Sequence, residues 1–178
     1  MRMVGKRVTS TEVTPDTMTD PVDWARHYWE QQKLDGDEQR FLTLTSLLRY
    51  QRLVADEVDS ELKKHGLNMT DYLLLMTLQL SEHGTRLISS LARNLMVHAT
   101  TATLATDRLE QRELLARSPH PTDRRATCVT ITQKGRETID TATRALTAID
   151  FGMRGSSPTD VTQLHDALTA MRQSAGDA

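Results

Sequence analysis

A single cysteine, Cys128, stands among the 178 residues. No intramolecular disulfide framework can therefore hold this chain, which suits a cytoplasmic location, and Cys128 itself reads as a small packing residue rather than a redox sensor. Long hydrophobic runs are missing as well. The strongest, Tyr72 to Leu80, falls well short of the roughly 20 residues that a helical crossing takes, so no membrane is expected, and the first residues lack the apolar stretch of a secretory signal. There is no Gly-x-Ser-x-Gly, no glycine-rich phosphate loop and no His-Glu-x-x-His, which speaks against an enzyme. The histidines, at 27, 65, 83, 98, 120 and 165, show neither His-x-x-x-His nor paired Cys/His spacing, so no metal or other cofactor is expected.

An excess of charge of one sign is also absent: 22 Lys and Arg against 24 Asp and Glu leave a net −2. That balance hides an asymmetry. Between Arg86 and Arg136 lie nine basic residues (86, 93, 108, 112, 117, 124, 125, 134, 136) against four acidic ones (107, 110, 113, 123), a local +5 on an otherwise acidic body. Such a basic patch steers one face toward phosphates while the rest is repelled. With 38% hydrophobic and 26% charged residues, the composition is that of a soluble, single-domain globular protein.

The basic segment reads as a helix followed by a hairpin. At 100° per residue, Ala102, Ala105, Thr106 and Leu109 fall on one side and can pack inward, while Thr100, Thr101, Leu104, Arg108 and Gln111 occupy or flank the other. Short hydroxyls let a backbone come close to B-DNA and bond base edges or phosphates, and a threonine methyl or Leu104 can rest on a thymine methyl. Thr101 and Leu104 are the expected readers and Arg108 the expected general anchor; His98 and Thr103 complete that face. Leu87 to Val97, with leucines at 87, 91 and 95, predicts a preceding helix whose start Ser89 or Ser90 would cap while offering hydroxyls to phosphate. A short apolar helix, a turn near Met96 to His98 and a threonine-faced helix make a helix-turn-helix pattern.

Leu114 to Arg117 and Thr127 to Thr132 predict two antiparallel strands, joined by a loop at 118–126 whose two prolines exclude a regular strand. Its tip carries Asp123, Arg124 and Arg125. An extended arginine matches the narrow, electronegative minor groove, and Asp123 could hold the Arg125 guanidinium in a bidentate pair.

The run DRLEQRELLARSPHPTDRRATCVTITQKG resembles the signature of the multiple-antibiotic-resistance regulator (MarR) family of bacterial transcription factors. Asp107-Arg108-Leu109-Glu110, Leu114-Leu115, Asp123-Arg124-Arg125 and Thr132-Gln133-Lys134-Gly135 stand in that family's order and spacing, and a looser likeness extends from about Glu38 to Met171. Glu113 departs from the pattern: it stands where the family usually has a glycine, which predicts a tighter turn or a helix one residue longer. Leu104 replaces a polar or basic reader, which bears on the operator rather than the fold. The resemblance implies a mainly α (α+β) winged helix-turn-helix fold with N- and C-terminal dimerisation helices.

Residues 1–20, rich in Thr, Pro and charge, read as a disordered tail ahead of a single unit at 21–178. Within that unit, about 66–135 is the winged helix-turn-helix, and about 22–65 and 136–176 are the dimerisation helices. A helix at 23–32 holds Trp24, Tyr28 and Trp29 as core or dimer anchors and is broken by Gly36. A long helix at 37–65 ends at Gly66, and another at 69–81 takes Thr70 as its N-cap. Two final helices carry narrow stripes, Ile139, Ala142, Leu146, Ile149 and Val161, Leu164, Leu168, Met171, which are expected to be buried only in a homodimer. The expected function is a sequence-specific repressor on a pseudo-palindromic double-stranded DNA operator. Family resemblance adds release by a small, aromatic or anionic ligand, with Arg49 or Arg52 for the anion and Tyr72 and Met76 as an apolar wall. The alternatives are a sequence-independent DNA-coating protein or a protein-binding adaptor on the same fold.

Overall fold

A computed structural model describes residues 20–123 and 125–177. The tail expected at 1–20 lies outside the described residues apart from Asp20, and so does Arg124. The chain is mostly helical: α1 (Pro21–Gln32), α2 (Glu38–Lys64), α3 (Met69–Gln79), β1 (Thr85–Leu87), α4 (Ile88–Asn94), α5 (Ala99–Gln111), β2 (Leu115–Pro119), β3 (Thr127–Ile131), α6 (Gln133–Ala148), a 3-10 turn (Asp150–Gly152) and α7 (Pro158–Ser174). None of the described helices is long and apolar enough to cross a membrane. Two compact units divide the chain, one up to Arg52 and one from Leu53.

In the first unit the Asp20 carboxylate accepts from the Val22 N–H at 2.8 Å and caps α1, which ends where Lys33 turns left-handed (φ 49°). Trp29 packs on Phe41 with ring centroids 5.1 Å apart, and Leu42 is buried, yet Trp24, Phe41, Leu44 and Leu48 stay exposed.

The second unit holds the main core. Leu62, Leu74, Leu75, Leu78, Leu91, Leu109, Val129 and Ile139 meet there. Asn68, and not Thr70, caps α3: its side chain accepts from the Asp71 N–H while the Asp71 carboxylate accepts from the Asn68 N–H, a reciprocal capping box. The sheet has the order β1-β3-β2, all antiparallel. Thr85-Arg86-Leu87 is too short to show a period, so the sequence predicts no strand there and places Leu87 at the start of a helix; the structure puts it at the end of β1. Pro119 lies inside β2, contrary to expectation; β2 is an edge strand, so the missing N–H costs no ladder bond.

α6 corrects a further expectation. Its stripe of Ile139, Ala142, Leu146 and Ile149 is already buried within this protomer, where α6 packs on α3. The α7 stripe differs: no residue of α7 is buried, with Val161 and Met171 exposed and Leu164 and Leu168 half-buried.

The start of α6 explains the Thr-x-x-Gly motif. The Thr132 hydroxyl accepts from the Gly135 N–H at 3.0 Å and donates to the Glu113 carbonyl at 2.7 Å. A Cβ on Gly135 would stand 2.0 Å from the Leu114 carbonyl oxygen, so only glycine fits. Glu113 itself takes the left-handed conformation (φ 60°). The turn a glycine would make is therefore kept, and α5 is not lengthened, since it ends at Gln111.

Candidate nucleic-acid interface

α4 and α5 pack together through a turn in which Met96 is left-handed (φ 50°) while the Val97 N–H donates to the Ala92 carbonyl at 3.0 Å. α5 then presents two faces. Ala102, Ala105, Thr106 and Leu109 are buried, as their spacing predicts; Thr100, Thr101, Thr103 and Leu104 are exposed, Leu104 at 58%. A leucine held this far out on a helix anchored by its opposite face is placed to touch something other than this protomer's core.

Side-chain caps separate two kinds of helix. Asp20, Asn68, Thr132 and Ser157 cap α1, α3, α6 and α7, whereas α4 begins at Leu87 and α5 at His98 with no side-chain hydrogen bond. Ser89 and Ser90 are thus not caps. They sit within the first turn of α4, Ser89 exposed and Ser90 half-buried. The start of α5 leaves amide donors and the positive end of a helix dipole open to an anion, and His98 is exposed beside it.

The charges of the Asp-Arg-Leu-Glu motif are partly exposed, yet each is paired within the protein. Asp107 and Glu110 together hold Arg117 of β2, at 2.5 Å and 3.2 Å, and Glu110 also accepts from the Arg117 N–H. Arg108 reaches back to α3, where its guanidinium meets the buried Asp71 carboxylate at 2.5 Å and 3.2 Å. That hydrogen bond, reinforced by the opposite charge, raises the Arg108 pKa above its ordinary value. The side chain read from sequence as a general anchor for DNA is thus engaged by protein.

The wing tip is a folded turn. The His120 Nδ1 accepts from the Asp123 N–H at 3.2 Å, and the His120 N–H donates to the Ala126 carbonyl at 3.1 Å. Asp123 does not form the expected pair with the Arg125 guanidinium. Its carboxylate accepts from the Arg125 backbone N–H at 2.9 Å, closing the turn, and the exposed Arg125 side chain makes no hydrogen bond or ion pair among the described residues. Arg124 lies outside those residues. Cys128 is half-buried on β3 with a free thiol.

The residues expected to meet a ligand are spread over both units. Arg49 and Arg52 are exposed in the first. In the second, Tyr72 is buried with its hydroxyl 3.2 Å from the Thr143 hydroxyl, and Met76 packs partly buried on the core.

An exposed helix following a short helix and turn, flanked by a two-stranded wing, is the architecture of winged helix-turn-helix regulators. Comparison with known proteins narrows this class. The sequence profile of the MarR family matches residues 67–127. The crystal structure of Sco5413, a MarR family transcriptional regulator from Streptomyces coelicolor, is 35% identical, with a TM-score of 0.73 over 79% of this chain and 98% of that one. This chain belongs to the MarR family of transcriptional regulators. The HTH-type transcriptional regulator MhqR of Bacillus subtilis is 36% identical over 89 residues, which is 50% of this chain and 60% of that relative's length. CouR from Rhodococcus jostii RHA1, solved bound to p-coumaroyl-CoA, is 26% identical with a TM-score of 0.61, over 70% of this chain and 87% of that one.

Proposed function

We propose that this protein is a homodimeric repressor that reads a pseudo-palindromic double-stranded DNA operator and releases it when a small ligand binds. The observation that carries the reading is the combination of an outward row on α5, Thr100, Thr101 and Leu104, with an exposed Arg125 at the tip of the adjoining wing, whose side chain has no partner among the described residues. The row suits a major groove and the arginine the neighbouring minor groove. The uncapped start of α5 supports phosphate contact by backbone amides, with His98 and Thr103 beside it and the hydroxyls of Ser89 and Ser90 on α4.

Assembly is assigned to helices within about 22–65 and 136–176. The unburied stripe of α7 and, separately, the exposed Trp24, Phe41, Leu44 and Leu48 of the first unit each need a partner surface. Two wings joined in this way would meet half-sites one helical turn apart. Release by a ligand is supported by family membership and by CouR, which was solved with an aromatic thioester bound. The first unit offers Arg49 or Arg52 to an anionic ligand and the second, taken by itself, offers Tyr72 and Met76 to an apolar one.

Footprinting on the DNA flanking the protein's own gene tests the reading. Protection of a two-fold symmetric site, relieved by a small aromatic acid, is the expected result. Uniform protection of any duplex would make it a DNA-coating protein, and no protection an adaptor.

A further inference from the structure

Two arginines one turn apart, Arg108 on α5 and Arg112 at its C-cap, close on the same short segment of chain. Arg108 donates from Nη2 to Asp71 Oδ1 and from Nε to Asp71 Oδ2, and the same carboxylate, its side chain 2% exposed, accepts from the Asn68 N–H. Arg112, just past the helix, donates to the Gly66 carbonyl and, at 3.3 Å, to the His65 carbonyl. Those carbonyls lie where α2 ends, at a left-handed Gly66 (φ 68°). Residues 65–68 form the α2–α3 turn, and that turn and the first turn of α3 are gripped together by Arg108 and Arg112.

We propose that Arg108, Arg112 and Asp71 are positioning residues that set the angle at which α5 is presented to DNA. The inference rests on the reading of α5 as the groove-entering helix. A guanidinium held by both carboxylate oxygens is fixed in plane as well as in distance. A carboxylate this buried cannot follow a moving partner without leaving its charge unsolvated. Rolling α5 about its axis must therefore break charge-assisted hydrogen bonds at two points, while the far face of the helix, with Thr101 and Leu104, makes no such contact. Arg108 then governs aim rather than phosphate affinity.

The test compares wild-type full-length protein with Asp71→Asn, Arg108→Met and Arg112→Met on the duplex protected in the footprint. Each variant should weaken binding by about tenfold. The dependence of log affinity on log salt should keep its wild-type slope, because no phosphate contact is lost, and the Asp71→Asn/Arg108→Met double variant should be no weaker than the weaker single one. Without DNA, amide exchange should quicken across 99–111 and stay slow in α6. A salt slope lowered by about one in Arg108→Met, beside full affinity in Asp71→Asn, would overturn the proposal and make Arg108 a phosphate contact. Arg112→Met strands no buried charge and is expected to fold; unchanged affinity and exchange in it would overturn the clamp at that point. If the wild type protects no duplex, the DNA reading fails, and the exchange measurement alone decides the clamp.

Discussion

The frame around α5 and the two outlying parts of the second unit, the wing tip and α7, use the same residue types to opposite ends. Within the frame, Arg108 meets Asp71, Arg117 meets Asp107 and Glu110, and the apolar stripe of α6 is sunk in the core. Among the described residues, Arg125 at the wing tip has no side-chain partner, and the stripe of the same spacing along α7 contains no buried residue. A basic residue or an amphipathic helix therefore does not announce a partner by itself. What separates contact surface from scaffold is whether the group is already satisfied within the protomer.

Substitutions should divide along this line: frame variants lose stability, those at the grip of Arg108, Arg112 and Asp71 losing affinity with it, whereas open-region variants lose binding alone. The largest effect expected outside the frame is that of Leu164→Asp, which would set a charge against apolar surface in the dimer at a cost of several kcal/mol. Light scattering should show a monomer, and specific DNA binding should collapse although every reading residue remains. An unchanged dimer would remove α7 from the interface. Inside the frame, Gly135→Ala drives a methyl into the Leu114 carbonyl, for a loss of about 3 kcal/mol in thermal unfolding; an unshifted Tm would mean that the junction of α6 and β2 is loose.

Arg125→Ala should leave unfolding untouched and weaken operator binding by about 1–3 kcal/mol. Stability lost together with affinity would place Arg125 in the frame. Arg117→Met should do the reverse. The Arg117 side chain is 26% exposed and its acids 42% and 39%, so solvent screening limits the stability loss to about 1 kcal/mol, with the salt slope of DNA binding unchanged.

The smallest effect concerns the exposed cap of α7. The Ser157 hydroxyl donates to the Asp160 carboxylate at 2.6 Å, and this hydrogen bond, with a second from the Ser157 N–H, holds the Asp160 pKa below its ordinary value. A depressed carboxylate contributes stability above the ordinary carboxylate range and loses it as pH falls through and below that range. Fraying of the α7 amide signals on acidification should follow this course in wild type and depend less on pH in Ser157→Ala, which keeps only the bond from the backbone N–H.

Much of this frame was legible in the sequence, for identifiable reasons. The inward face of α5 follows from the spacing of Ala102, Ala105, Thr106 and Leu109; the Thr132–Gly135 motif was visible only as a family signature, and its role as the cap of α6 comes from the fold. The partners of the charges were not legible. Asp71 is 37 residues from Arg108, and no local pattern says that a first-turn acid on α3 will be buried beneath an arginine of α5. The stripes of α6 and α7 look alike in sequence; only the packing of α6 on α3 distinguishes them. Asp123 was matched to the wrong atom of Arg125, because a short acid two residues before an amide closes a turn through the backbone more readily than it reaches a long side chain. Ser89 or Ser90 looks like a cap in sequence, but β1 carries the chain straight into the helix and leaves Leu87 at the cap position.

The central claim is that the open face of α5 and the wing tip together read DNA sequence. Selection from randomised duplexes tests it most directly, with wild type and Leu104→Ala run side by side at one salt concentration. The account predicts that wild type enriches two inverted half-sites centred about ten base pairs apart, and that Leu104→Ala shifts the preferred base within each half-site while keeping their spacing. No enriched sequence, or an identical preference in both proteins, would contradict it.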